Sequence, residues 1–152
     1  MARHHALDLS ESSLSPGFRY QGPYAAIEAA WQLRLHEYLG GTIRGLGGFP
    51  QEVGGVADHV HLLVGLKATH CLADVMRELK KASSAWVHDE LGILGFAWQE
   101  GYAAFTVSAT AREAVRSYIA RQEEHHRVRS FREEVVEMLE KAGITYDPKF
   151  LD

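Results

Sequence analysis

The stretch GGVADHVHLLVGL, residues 54–66, constrains the fold more than any other part of the chain. Its second half is an apolar run of the length and composition of a buried strand. Two imidazoles, His59 and His61, interrupt it. Side chains on a strand alternate between faces. His59, His61, Leu63 and Gly65 therefore point one way, and Val60, Leu62, Val64 and Leu66 point the other. The second set is wholly apolar and is expected to pack on helices. The imidazoles are then expected on the opposite, open face.

The rest of the chain arranges itself around this strand. RHHALDL reads as a first strand and SESSLSPGFRYQGP as a loop. A helix is expected after Pro23, with Ile27, Trp31, Leu35 and Tyr38/Leu39 at helical spacing, weakened or bent at Gly40-Gly41. Strands are expected at 51–56 and 58–66. Residues 70–91 form an amphipathic helix whose face runs through Leu72, Val75/Met76, Leu79, Ser83, Trp86/Val87 and Leu91. A strand at 103–109 follows. Thr110 with Glu113 has capping-box spacing and opens a helix to about residue 124; Ser130 with Glu133 opens a last helix through Leu139, with Gly143 as its stop. The order βαββαβ, with its second and third strands adjacent, predicts an α+β ferredoxin-like antiparallel sheet with helices on one face plus C-terminal helices. Residues 1–152 are expected to form a single domain.

Composition narrows the class. One cysteine, Cys71, permits no internal disulfide, which fits a reducing, cytoplasmic location. The N-terminal residues contain no secretory apolar core, and no apolar run is long enough to span a bilayer. A formal charge of −4 does not announce a nucleic-acid binder, although a local basic stripe can serve on an acidic protein. Nine histidines are many for this length.

Same-face residues two apart on a strand lie about 7 Å apart at Cα, close enough for two imidazoles to converge on one ion. A protein metal site needs a third ligand. Tyr118, Gln122 and His126 fall at i, i+4 and i+8 beside the apolar stripe of Ala114/Val115 and Ile119. An amide oxygen can join two imidazoles on a divalent ion, and a phenol can act as a nucleophile. The same residues also fit a blander description: two polar side chains on a wet sheet face, a boundary tyrosine and a solvated glutamine.

The blocks ADHVHLLV, RELKKASSAWV, WQEGYAAFTVS, YIARQEEHHRVRSFREEV and GITYD together resemble the single-tyrosine HUH transposases, of the insertion-sequence type and their REP-associated relatives. The similarity runs from about Leu35 to Tyr146, with Val60 as the bulky residue between the histidines. It implies a ferredoxin-like fold, a divalent metal (Mg2+ or Mn2+) on His59 and His61, Tyr118 as nucleophile and Gln122 as third ligand. It further implies a homodimer and single-stranded DNA with hairpin ends as partner. Two imidazoles suit manganese better than magnesium, and they bind metal only when neutral, below about pH 6 ever more weakly. Family members begin with a histidine-bearing strand and then a Thr-Lys-x-Arg type segment; in residues 1–24 the basic segment is missing.

Arg77, Lys80 and Lys81 on the long helix, and Arg112, Arg116, Arg121, Arg127, Arg129 and Arg132 around the tyrosine helix, are candidates for phosphate contact. Interleaved glutamates, Glu113, Glu123, Glu124, Glu133 and Glu134, offer them ordinary ion-pair partners instead. Trp98 and Tyr102 are candidates for base stacking or for packing. The function expected is a DNA transposase that cuts and rejoins single strands. The alternatives are a non-catalytic domesticated domain that binds structured DNA or RNA, for example a repressor, and a small metallohydrolase using the histidine pair alone.

Overall fold

The computed structural model of the chain describes residues 3–10, 27–55, 59–98, 102–121 and 131–148. Among them, strands β1 (Arg3–Ser10), β2 (Phe49–Gly55), β3 (His59–Leu66) and β4 (Ala103–Val107) alternate with helices α1 (Ala29–Gly45), α2 (Leu72–Leu91), α3 (Arg112–Ala120) and α4 (Phe131–Lys141). The sheet order is β2-β3-β1-β4. Every pairing is antiparallel, with β1 between β3 and β4 and β2 on the other side of β3. This is the ferredoxin-like plan expected from the element order.

Alternation along β3 assigns its two faces as the sequence predicts. Val60, Leu62, Val64 and Leu66 pack with Trp31, Leu35, Leu39 and Ile43 of α1 and with Val75, Met76, Leu79 and Val87 of α2. Trp98 belongs to this layer and not to a stacking surface: it is buried, and its indole N–H donates to Ser83 Oγ at 2.8 Å. Tyr102 is exposed, with Lys80 Nζ 5.5 Å from its ring centroid.

The other sheet face is not open. Leu63 packs there with Val107, with Val115, Tyr118 and Ile119 of α3, and with Met138 of α4. His59 and His61 are 1% and 0% exposed, against the expectation of a wet face. Helices α3 and α4 supply cover that a strand pattern cannot reveal.

Several local expectations are corrected as well. α1 runs unbroken through Gly40-Gly41, because Leu39 and Ile43 are buried on either side of the pair and Gly40 lies against Pro50. The capping box at Thr110 does not form: α3 begins after Ala111, whose N–H donates to Ser108 Oγ. The stop at Gly143 holds, with φ +69° in the left-handed region that glycine tolerates. Two of the many histidines brace turns. His70 accepts from the Lys67 N–H at 2.8 Å and donates to Leu46 O at 2.7 Å, and His88 donates to Phe96 O at 2.7 Å.

Candidate metal centre

The site forms where β3, α3 and α4 meet. The rings of His59 and His61 lie with centroids 4.8 Å apart and planes at 65°. Between them stands Glu134, from the first turn of α4. Its Oε2 meets His59 Nε2 and lies 3.2 Å from His61 Nε2. One ligand atom from each of the three residues falls within 4.8 Å of the others. All three side chains are buried.

The electrostatics of Glu134 follow from that enclosure. Burial pushes its carboxyl up, but hydrogen bonds and positive charge from His59 and His61 outweigh burial and hold it at about 2. Glu134 Oε1 is buried and has no hydrogen-bond partner among the described residues. A buried carboxylate oxygen left over beside two imidazole nitrogens is the donor set of a divalent ion, so the residues present fit one.

Tyr118 lies on the same sheet face, 2% exposed and not at a solvent boundary. It packs with Leu63, two residues beyond His61, and with Met138, one turn beyond Glu134. Lys141 Nζ stands 5.8 Å from its ring centroid. Tyr118 is therefore brought to the histidine-bearing sheet face within a single chain. Gln122 and His126 lie outside the described residues, as do Arg127, Arg129, Glu123 and Glu124.

The close approach of α3 has a backbone cause. Gly54 of β2 pairs in register with His61. A Cβ there would lie 2.2 Å from the carbonyl oxygen of Ile119, the residue after Tyr118. Only a glycine lets α3 sit so near the strand pair.

The basic residues divide between layers. Arg77, Lys80 and Lys81 belong to α2, on the far side of the sheet from the histidines. Arg77 is also ion-paired, with Asp74 at 2.9 Å and Glu78 at 3.8 Å. Arg116 and Arg121 lie on or just after α3, beside the site. Arg116 faces Glu52 at 3.5 Å, and exposed Arg121 donates to Ser117 O at 3.3 Å.

The sequence alone did not single out Glu134, which there reads as a partner for nearby arginines. A signal existed in its spacing. Glu134 stands one residue before Val135 and four before Met138, both buried, so it occupies the apolar stripe of its own helix.

An antiparallel β2-β3-β1-β4 sheet carrying two histidines on a central strand and a tyrosine on a covering helix defines a class that comparison with known proteins identifies. The sequence profile of the family "Transposase IS200 like" matches residues 19–122, more than half of the chain. The chain belongs to that family. No curated protein sequence matches it. Solved structures share the fold. A proposed transposase from Deinococcus radiodurans R1 superposes with a TM-score of 0.59 at 21% identity, over 80% of this chain and 92% of that one. A REP-associated tyrosine transposase bound to a REP hairpin also gives 0.59, at 12% identity, over 82% of this chain and 68% of that one. Among the described residues, no helix is long and apolar enough to cross a membrane.

Proposed function

We propose that this protein cuts and rejoins single-stranded DNA at hairpin-flanked sites, with Tyr118 as nucleophile and His59 and His61 as ligands of a divalent metal, Mg2+ or Mn2+. The observation that carries this is the convergence of Tyr118 and the histidine pair on one sheet face of one chain. Family membership and a structural relative bound to a REP hairpin support the substrate.

The chemistry is a transesterification. Tyr118 Oη attacks phosphorus, an O–P bond forms, and the bond from phosphorus to the 3′-oxygen breaks. The phenolic proton passes to solvent and the 3′-oxygen takes one up. A 5′-phosphotyrosine remains, and attack by a 3′-hydroxyl reverses the step without ATP. When bound, the metal supplies Lewis-acid polarisation of the phosphate. His59 and His61 hold it as neutral imidazoles, with Gln122 as the family-derived candidate for a further ligand. Lys141 Nζ, 5.8 Å from the Tyr118 ring centroid, places positive charge near the ring, which favours the phenolate form. Arg116 and Arg121 stand beside the site and are the better candidates for the substrate backbone; Arg77, Lys80 and Lys81 on the opposite layer would reach only DNA that wraps past the sheet edge.

His59, His61 and Tyr118 are shielded from solvent, so substrate entry requires movement of the side chains that cover them. That closure also favours a second function: a non-catalytic, domesticated domain that binds structured DNA or RNA on its outer surface. One experiment separates the two. The protein is incubated with Mn2+ and a single-stranded hairpin from the DNA flanking its gene, then denatured. A covalent protein–DNA adduct that disappears in Tyr118→Phe supports the enzyme. Binding without adduct under Mg2+ and Mn2+ supports the non-catalytic domain, and an adduct that survives in Tyr118→Phe removes Tyr118 from the role. A homodimer belongs to the same proposal and is checked by sedimentation.

A further inference from the structure

We infer that Glu134 is itself a metal ligand, making the centre a two-histidine, one-carboxylate set built from β3 and α4. This rests on His59 and His61 holding a metal, as proposed above. The resemblance points to Gln122, four residues after Tyr118 in sequence and outside the described residues. Glu134 lies on α4, the next helix among the described residues, beyond the 19–122 region that matches the family.

Three observations carry the assignment. The first is reach. Metal–ligand bonds of about 2.0–2.2 Å place neighbouring donor atoms roughly 3–3.5 Å apart. Glu134 Oε2 is 3.2 Å from His61 Nε2 and also meets His59 Nε2, and the three donors lie within 4.8 Å of one another. The second is burial. Glu134 is 0% exposed on the apolar stripe of α4, beside Val135, Met138 and Leu139, a position at which leucine would complete the core. The third is an unused donor. Glu134 Oε1 has no hydrogen-bond partner among the described residues, so contacts with the imidazoles leave the carboxylate half satisfied.

The chemical consequences differ from those of an amide ligand. A carboxylate cancels one of the two charges on the ion, and its hard oxygen favours Mn2+ and Mg2+ more than an all-imidazole site would. Three protein ligands leave further positions for phosphate oxygens. The ion also becomes a clasp between β3 and the C-terminal helix, so that metal loading orders α4.

The test is Mn2+ titration of the full-length, DNA-free protein, followed by the loss of the free-ion EPR signal. Amide exchange of α4 is measured with and without Mn2+. Wild type is expected to bind one ion and to slow exchange in α4. His61→Ala is expected to lose binding. Glu134→Gln, nearly isosteric but uncharged, is expected to bind at least tenfold more weakly and to lose the exchange protection, whereas Gln122→Ala costs less. Binding by Glu134→Gln within twofold of wild type, while His61→Ala loses it, overturns the role of Glu134 and leaves the histidine site standing; His59, His61 and Glu134 are then a hydrogen-bonded cluster. Undiminished binding in His61→Ala, or none in wild type, overturns the histidine site and with it the ligand role. Metal-free melting curves establish that each variant folds. Should Glu134→Gln not fold, Glu134→Asp, which keeps the charge but shortens the reach, replaces it, and wild-type affinity there counts against the assignment.

Discussion

On the function proposed above, replacing Gly54 with alanine should slow DNA cleavage while leaving His59, His61 and Glu134 in place. The new Cβ would lie 2.2 Å from Ile119 O and 2.9 Å from Ile119 Cγ2. The nearer atom is backbone, so no rotamer change relieves it. Restoring even a 3.0 Å contact moves α3 outward by about 0.8 Å, and Tyr118 travels with it. Misplacing a reacting group by about 1 Å can cost roughly 100-fold in rate. Overpacking of this kind costs about 1–3 kcal/mol, or roughly 2–12 °C in melting temperature at this size. The assay is single-turnover adduct formation with Mn2+ and a hairpin substrate, alongside Mn2+ affinity. Adduct formation is expected to fall between about 10-fold and 100-fold, with Mn2+ affinity within about twofold of wild type. Gly41→Ala is the control: its Cβ meets nothing within 4 Å on an exposed turn of α1, and it should gain about 0.5–1 kcal/mol through helix propensity. A wild-type rate in Gly54→Ala refutes the argument. So does a rate loss matched by an equal loss of metal affinity, because the damage then lies in β3 and not in the seating of α3.

Two further outcomes follow from other parts of the structure. Burial lowers the His36 pKa from 6.5 to about 4, and its Nε2 has no partner among the described residues. The folded state therefore holds His36 neutral while the unfolded chain protonates below 6.5, so stability is complete above pH 6.5 and falls as pH drops toward 4. Urea melts should show that His36→Gln removes up to about 2–3 kcal/mol of the loss between pH 7 and pH 4.5. For DNA binding, Arg121→Ala should lower the slope of log K against log salt by about one unit, whereas Arg77→Ala, already ion-paired on the far layer, should leave it unchanged. An equal change in both variants would place the DNA across both layers.

What the sequence makes legible is set by how local each cause is. Alternation is a property of consecutive residues, so the division of β3 into Val60, Leu62 and Val64 on one face and His59, His61 and Leu63 on the other is readable and holds. The stripe of α2 from Val75 to Val87 is equally local. Gly40-Gly41 misleads because helix propensity is a weak preference that burial of Leu39 and Ile43 overrides. The capping box at Thr110 misleads because Ser108 takes the cap instead. What covers the histidine face is not local at all: the covering carboxylate lies 73 residues beyond His61.

Glu134 shows why the third member of a site is the hardest to read. Acidic residues gather in the first turns of helices, where they favour the positive end of the helix dipole, and FREEVVEMLEK supplies two of them. Glu133 and Glu134 are indistinguishable by that rule, yet one is exposed and the other fully buried. Phase separates them. The buried residues Val135, Met138 and Leu139 define an apolar face that includes position 134 and excludes 133. An ionisable residue in phase with a core stripe carries a desolvation cost that surface charge does not, and it needs a specific partner to persist. In this chain the partners are two imidazoles on a strand whose alternation had already asked for a third ligand. The periodicity of the last helix and the periodicity of the central strand are thus two independent signals, and only their conjunction makes the His59–His61–Glu134 group legible.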